Sequence, residues 1–323
     1  MHHRQRPLPI ALAAILFLCP VIADAFAGPF QVRNQFPLLT VLDPPCLESA
    51  AVEDSATVSL SHSSVYVTET RAAWTVNMDI ELTELMVRLK KSLTGRTEVG
   101  IDLPFYRPTA GFLDRPLSTF HDIVGMGDYG RHSRPDNDFL FELLHQGKPV
   151  IVLRNGEAGI GDVRLTAKHV VHEGPTLVSV SANVEFPTGD AKTGYGNGSY
   201  DAGLAVLVDR DLGKVYRGYV NLGVIFPGEL KGYETIPLST SYYGGLGIEA
   251  AWWERFHVIV QTVVATSPYP DTGIRQVDWP GVLLTFGGRY SFDPGSLEFS
   301  LTEDPDTAGA PDFTMSIAFR YRF

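Results

Sequence analysis

The 323-residue chain has 2 cysteines, carries charge on only 20% of its residues, and holds 26 Lys+Arg against 37 Asp+Glu, a formal net charge of −11. Each scarcity excludes something. Two cysteines cannot build a disulfide scaffold. An acidic chain lacks the basic surface that displaces counterions from phosphates, so nucleic acid is no partner. Past residue 27 no window of about 18 apolar residues occurs, which excludes a helical membrane protein. What is present is apolar and aromatic: 44% hydrophobic residues, 11% aromatics and 31 glycines, at a mean hydropathy of +0.02. That is too apolar for a disordered chain and fits an all-β class.

Residues 1–27 read as an export signal. Arg4 and Arg6 form its positive start, Leu8 to Ile22 its apolar run, and Ala25-Phe26-Ala27 a small-x-small cleavage site. Ala23-Asp24-Ala25 has the same shape, so cleavage after Ala25 stays open. Cys19 follows bulky Phe17-Leu18 and precedes Pro20, which disfavours a lipid-attachment site. Removing residues 1–27 leaves 24 Lys+Arg against 36 Asp+Glu, or −12, and Cys46 alone. The exported product is then either soluble or an outer-membrane barrel.

Alternation separates the two. Phe313, Met315, Ile317, Phe319, Tyr321 and Phe323 alternate with Thr314, Ser316, Ala318, Arg320 and Arg322, one apolar and one polar face. A free chain end frays in water, so a terminal aromatic at the end of such a strand resembles the assembly signal that the barrel-assembly machinery reads in bacterial outer-membrane proteins. The same period recurs upstream, as in Val178, Val180, Ala182, Val184 and Phe186 against Ser179, Ser181, Asn183 and Glu185. Strands fall near 56–67, 73–91, 96–104, 161–171, 175–186, 199–209, 213–225, 238–251, 255–266, 281–291, 295–302 and 312–323. The second changes its alternation near Thr83-Glu84, which predicts a bulge. Links alternate between tight turns and long Gly/Pro/Asp-rich loops, the arrangement of a transmembrane barrel with short periplasmic turns and long extracellular loops. The fold class is therefore all-β, an antiparallel transmembrane β-barrel of about 12 strands over residues 55–323. The segment 28–54, with Pro29, Pro37, Pro44 and Pro45, is no ladder strand. A periplasmic tail is slightly favoured for it over a small lumen plug.

The stretches Gly28-Pro29-Phe30-Gln31-Val32-Arg33-Asn34-Gln35, Glu98 to Phe105, Gly111-Phe112-Leu113-Asp114, Gly159 to Val163, Phe186-Pro187-Thr188-Gly189-Asp190 and the closing Pro311 to Phe323 resemble a family of bacterial outer-membrane proteins, domain of unknown function 3187. The Pro-Thr-Gly-Asp stretch is also similar to motifs of outer-membrane solute-channel barrels. The resemblance implies location and fold, and no activity.

Function then rests on the lumen and loops. Predicted inward charges are Arg88, Lys90, Glu98, Asp102, Asp162, Arg164, Lys168, Glu185, Asp201, Arg217, Glu249, Arg289, Glu298, Arg320 and Arg322. They form either a selectivity lining or, the favoured reading, internal ion pairs that rigidify a closed barrel. Twelve strands lie between side-chain-filled barrels and open porins. The long loop 105–160 offers Leu117, Phe120, Ile123 and Val124 at helical spacing after Asp114 and Pro116. It also carries a second apolar cluster at Phe139, Phe141 and Leu144; together these are candidates for a lid. Leading among the functions is a narrow, substrate-restricted channel or binding barrel for small, apolar solutes; a structural envelope barrel with a closed lumen is the alternative. A lipid hydrolase using His132-Ser133 or His62-Ser63-Ser64 is less favoured, since no acid partner stands nearby in sequence. Asp136, Asp138, Asp304, Asp306 and Asp312 read first as loop solvation and second as cation ligands. His169 and His172 lack an obvious third ligand, so no metal and no cofactor is expected. The expected partners are outer-membrane lipids, lipopolysaccharide, the barrel-assembly machinery and a small-molecule solute.

Overall fold

The computed structural model describes residues 26–42, 44–124, 134–306 and 308–323. Most of the expected signal segment, and His132-Ser133, lie outside them. Twelve antiparallel strands close into a barrel: β1 (Ser55–Arg71), β2 (Trp74–Thr94), β3 (Thr97–Thr109), β4 (Val163–His172), β5 (Thr176–Phe186), β6 (Asp201–Asp211), β7 (Tyr216–Phe226), β8 (Ser241–Ala250), β9 (Phe256–Ala265), β10 (Gly281–Phe292), β11 (Gly295–Glu303) and β12 (Phe313–Arg322). Closure is made by β12 on β1, from Ser55↔Arg322 to Ser64↔Phe313. Each strand thus has two ladder neighbours and no edge is left open.

The pleat sorts the side chains as the alternation requires. On β12, Ile317, Phe319 and Tyr321 stand 42–46% exposed on the outside, while Thr314 and Arg320 are buried inside. Leu204, Leu222, Leu246 and Phe299 project outward in the same way at 54–63% exposure. Such an exposed apolar belt has a cost in water and none in lipid. Leu204→Arg, mid-belt on β6, is expected to destabilise the lipid-embedded barrel by about 2–4 kcal/mol. Urea titration in vesicles checks this.

The expected bulge in β2 is absent. The β1–β2 ladder runs without interruption from Ser55↔Lys90 to Arg71↔Trp74. What changes near Thr83-Glu84 is the surroundings of each face. β1 and β2 are 17 and 21 residues long, against the ~9–11 that a tilted strand needs to cross. Below Ser63 and Leu82 the inward residues are Ser61, Thr57, Glu84, Arg88 and Lys90, and the outward ones Leu60, Val58, Leu85 and Leu89. Above it the pattern inverts: Val65, Val67, Ile80, Met78, Val76 and Trp74 point inward and are buried. There the hairpin has left the membrane and behaves as a soluble sheet, apolar inside and polar outside.

A roof is built on that extension. The loop after β3 makes α1 (Asp114–Val124) and a hairpin, Leu140–His145 with Lys148–Ile151. The first strand of this hairpin pairs with β2 from Trp74↔His145 to Asp79↔Leu140, taking over where β3 ends. Leu143, Val150, Ile151 and Leu153 join Tyr195, Leu230, Ile236, Tyr269, Ile274 and Val277 in one apolar core above the barrel.

Candidate functional site

Residues 27–42 and 44–54 run inside the barrel, bonded to its inward side chains, where the favoured tail reading would have them below it. The segment rises as one arm, turns beneath the roof in a short helix at Pro37–Thr40, and descends as a second arm to the start of β1. Having no ladder, its backbone must find partners on wall side chains. Arg320 donates to the carbonyl of Ala27 at 2.7 Å and Arg289 to that of Gly28 at 2.5 Å. Gln261 clamps Phe30 with both amide ends, accepting from its N–H and donating to its carbonyl, each at 2.9 Å. Asn34 donates to the Gly309 carbonyl at 2.6 Å, and Gln35 to Glu84 at 2.8 Å. At the tip, Phe36, Leu38, Val41 and Leu42 enter the roof core, and the Tyr269 hydroxyl donates to the Leu38 carbonyl at 2.8 Å.

On the way down the pattern repeats. Asn221 holds Glu48 as Gln261 holds Phe30, accepting at 2.7 Å and donating at 3.0 Å. Asp209 accepts from the Ser49 hydroxyl and the Ala50 N–H, and Lys168 donates to the carbonyls of Ser49 and Ala51. Glu98 accepts from the Glu53 N–H and Asp54 from the Ser92 N–H, each at 2.7 Å.

Ten of the fifteen expected lumen charges sit around this plug in three groups. Arg88 pairs with Asp102 at 2.7 Å, and Arg164 pairs with the same carboxylate. Lys90 meets the plug's Glu48 at 3.1 Å and Glu53 at 3.4 Å, and Lys168 meets Glu98 at 3.1 Å. Arg289, completely buried, pairs with Glu249 at 2.7 Å and Glu298 at 2.8 Å. Glu249 also accepts from Tyr219 and bonds His257 Nδ1 at 2.6 Å, while Arg320 reaches Glu298 at 3.4 Å. The wall thus brings cations and carboxylates together, with two carboxylates supplied by the plug. Asp162, Asp201 and Glu185 are buried near the outer end. At the other end, that of the short turns, Arg217 pairs with Asp211 at 2.6 Å and lies over the Phe26 ring, and Arg322 is half-buried.

Asp162 and Asp201 fasten outer loops. Asp162 accepts from the N–H groups of Gly189 at 2.7 Å and Asn197 at 3.2 Å; Asp201 accepts from Asn197 and from the Gly228 N–H. A Cβ at Gly196 would overlap the Asp162 carboxylate, so only glycine admits that approach. Burial, with the charge of Asp201 nearby, pushes the Asp162 carboxyl up to about 6. The native state therefore holds a proton that the unfolded chain releases. Stability contributed at this site rises as pH falls through 6 toward the ordinary carboxylate value, and is lost as pH rises. Asp162→Asn should flatten that part of the stability profile between about pH 4 and 6; thermal unfolding across that range checks it.

Of the seven lid candidates, Phe139 and Phe141 pack against the roof core. Both are half-buried, Leu117 is buried, and Leu144 is half-buried opposite Thr75. Phe120, Ile123 and Val124 belong to α1 by backbone; their side chains lie outside the described residues. Phe313, Met315, Ile317, Phe319 and Tyr321 alternate along the outer face of β12, and Phe323 follows its end. His62 has gained the acid that sequence spacing did not reveal: Nε2 lies 2.5 Å from Glu81 and Nδ1 2.8 Å from Thr83, under a stacked Phe112 ring. Both ring nitrogens are thereby spent on groups other than Ser64. Asp136, Asp138 and Asp306 pair with Arg115, Arg134 and Arg275, and Asp304 caps the N–H groups of Asp306 and Ala308. Among the described residues no group of three or more His, Cys, Asp or Glu side chains is placed to hold a metal.

Among the described residues, the spaces found between plug and wall are small, at about 20 and 30 Å³, enough for a water or two. A concavity of about 840 Å³ lies on the outer face among Leu89, Ile101, Leu165 and Val184, where it meets lipid. The upper lumen is not uniformly polar. Ile225, Val263 and Leu283 turn inward on β7, β9 and β10, and the plug covers them with Leu39, Leu42, Pro44 and Pro45.

Sequence reasoning missed Gln261, Asn221, Asp209, His257 and Tyr219 as wall contacts. Their inward parity was readable from the alternation; that a plug would need them was not.

The fold is that of an outer-membrane barrel. The COG4313 outer membrane channel from Pseudomonas putida F1 aligns over 87% of this chain and 100% of its own, at 16% identity and a TM-score of 0.57. That likeness is one of fold. Less alike are the NanC porin (8% identity, 83% of this chain and 100% of that one, TM-score 0.49) and the P. putida toluene transporter TodX (8%, 84% and 91%, 0.44). No curated protein matches the chain. The model of the protein family of unknown function DUF3187 matches residues 10–323, nearly the whole chain, and the protein belongs to that family.

Proposed function

We propose that the protein is an outer-membrane channel for small apolar solutes whose lumen is closed by its own N-terminal hairpin. The observation that carries this reading is the way the plug is held. It contributes no strand to the barrel, so the twelve-strand wall is complete without it. Its hold is made of side-chain contacts, many of them to water-compatible polar groups. A purely structural barrel has no need of a separate insert with its own apolar track. An apolar solute also suits the upper lumen, where Ile225, Val263 and Leu283 replace the polar lining usual for a porin.

In the closed form such a solute does not pass. A cavity that admits benzene measures about 150 Å³, several times the spaces between plug and wall. Transit therefore requires the plug to shift. The charged groups below the track disfavour an apolar molecule and mark the level at which the plug must give way.

The test is uptake by cells with an intact lipopolysaccharide layer. Cells making the protein should take up toluene faster than cells lacking it, with glucose uptake equal in both. Equal toluene uptake in the two would reject the channel and leave the closed structural barrel, which the buried ion-pair network favours.

A further inference from the structure

Midway down the lumen β8 presents glycine at two positions where a wall side chain would otherwise stand. Gly245 and Gly247, both inward on that strand, leave a hollow that receives Leu47 from the descending arm. A Cβ on either glycine would come within 2.7 Å of a Leu47 methyl. Leu47 is fully buried there against Tyr219 and Val263. Its neighbours further down the arm are held differently: Glu48, Ser49, Ala50 and Ala51 make polar contacts with Asn221, Asp209, Lys168 and Ser179.

The hollow is also where the apolar track ends. Above it Val263, Leu283 and Ile225 lead to the outer rim at Pro227 and Pro268. Below it Glu249, His257 and Arg289 close the wall. A solute that followed the track would arrive at the position Leu47 holds.

We propose that this hollow is a binding site for a small apolar solute, of the size of an isobutyl group or a single ring, and that Leu47 is a resident occupant which the solute displaces. The inference rests on the channel reading and adds to it a site and a means of release. An incoming hydrocarbon replaces the apolar contacts that Leu47 gives up, so the hollow stays filled while the arm moves. Once Leu47 is out, the paired bonds from Asn221 to Glu48, the next residue, are strained, and the lower arm loses its hold. A charged or highly hydroxylated solute has no such exchange to offer, because its polar groups would be buried without partners.

Cys46, adjacent to Leu47 and buried, reports the exchange without any substitution. The protein in lipid vesicles is treated with N-ethylmaleimide, alone, with toluene and with glucose, and alkylation is read on the peptide that carries Cys46. Toluene should accelerate Cys46 alkylation at least tenfold and glucose should leave the rate unchanged. Gly247→Ala, which fills the hollow, should cut the toluene response below twofold whatever its starting rate, with heat-modifiable gel mobility verifying that the barrel has folded. An unchanged rate with toluene in the natural protein, or the same acceleration in Gly247→Ala, overturns the proposal. The two readings fail separately. Protein-dependent toluene uptake with an unresponsive Cys46 removes the site and keeps the channel. A responsive Cys46 without uptake removes the channel and keeps the site.

Discussion

Arg289→Met is expected to cost the folded barrel about 3–5 kcal/mol, the penalty for removing one partner of a buried ion pair. The residue is completely buried and serves two carboxylates, Glu249 and Glu298, and the Gly28 carbonyl together. Methionine nearly fills the space but leaves both acids without their main cation. The loss therefore comes from stranded charge and much less from packing. Glu249→Gln in the same chain should recover part of it, since one stranded charge is then gone; the coupling appears as non-additivity in a double-mutant cycle. Equilibrium urea unfolding in vesicles measures all four variants. Strictly additive losses would mean that Arg289 and Glu249 stabilise the lower lumen independently.

How much of this was legible in the residues depends on periodicity. A strand with lipid on one side and lumen on the other writes its own parity. Ile317, Phe319 and Tyr321 against Thr314, Ser316 and Arg320 stand where alternation puts them. Two features broke that rule for physical reasons. In β1 and β2 the inversion at Thr83-Glu84 mimicked a slipped register, but the ladder is continuous. The solvent outside the strand changes from lipid to water, and the sheet's preference reverses with it. The plug had no period to read. Its arms are neither helix nor ladder strand, and Gln261 and Asn221 satisfy their backbones from afar in sequence. The partners of the inward charges were hidden for the same reason: Glu48 and Glu53 complete the cluster around Lys90 from a segment that carries no pattern. Leu47 was invisible until Gly245 and Gly247 were seen beside it.

The acidity and modest charge of the chain acquire a place in the fold. Many of the charges are inside, paired between neighbouring strands of the wall or with the plug, while the outer belt holds few. A chain of near-zero mean hydropathy is thereby apolar to its membrane and ionic to its own interior.

Removing residues 28–54, the segment proposed to close the channel, is expected to have the second large effect. Single-channel recording in planar bilayers compares the full chain with a chain lacking 28–54, each first shown to be folded by heat-modifiable gel mobility. The full chain should hold a closed baseline with at most brief openings, and the shortened chain should give long-lived conductance steps. A shortened barrel that folds and stays silent, or a full chain that conducts as well as the shortened one, would contradict closure by the plug.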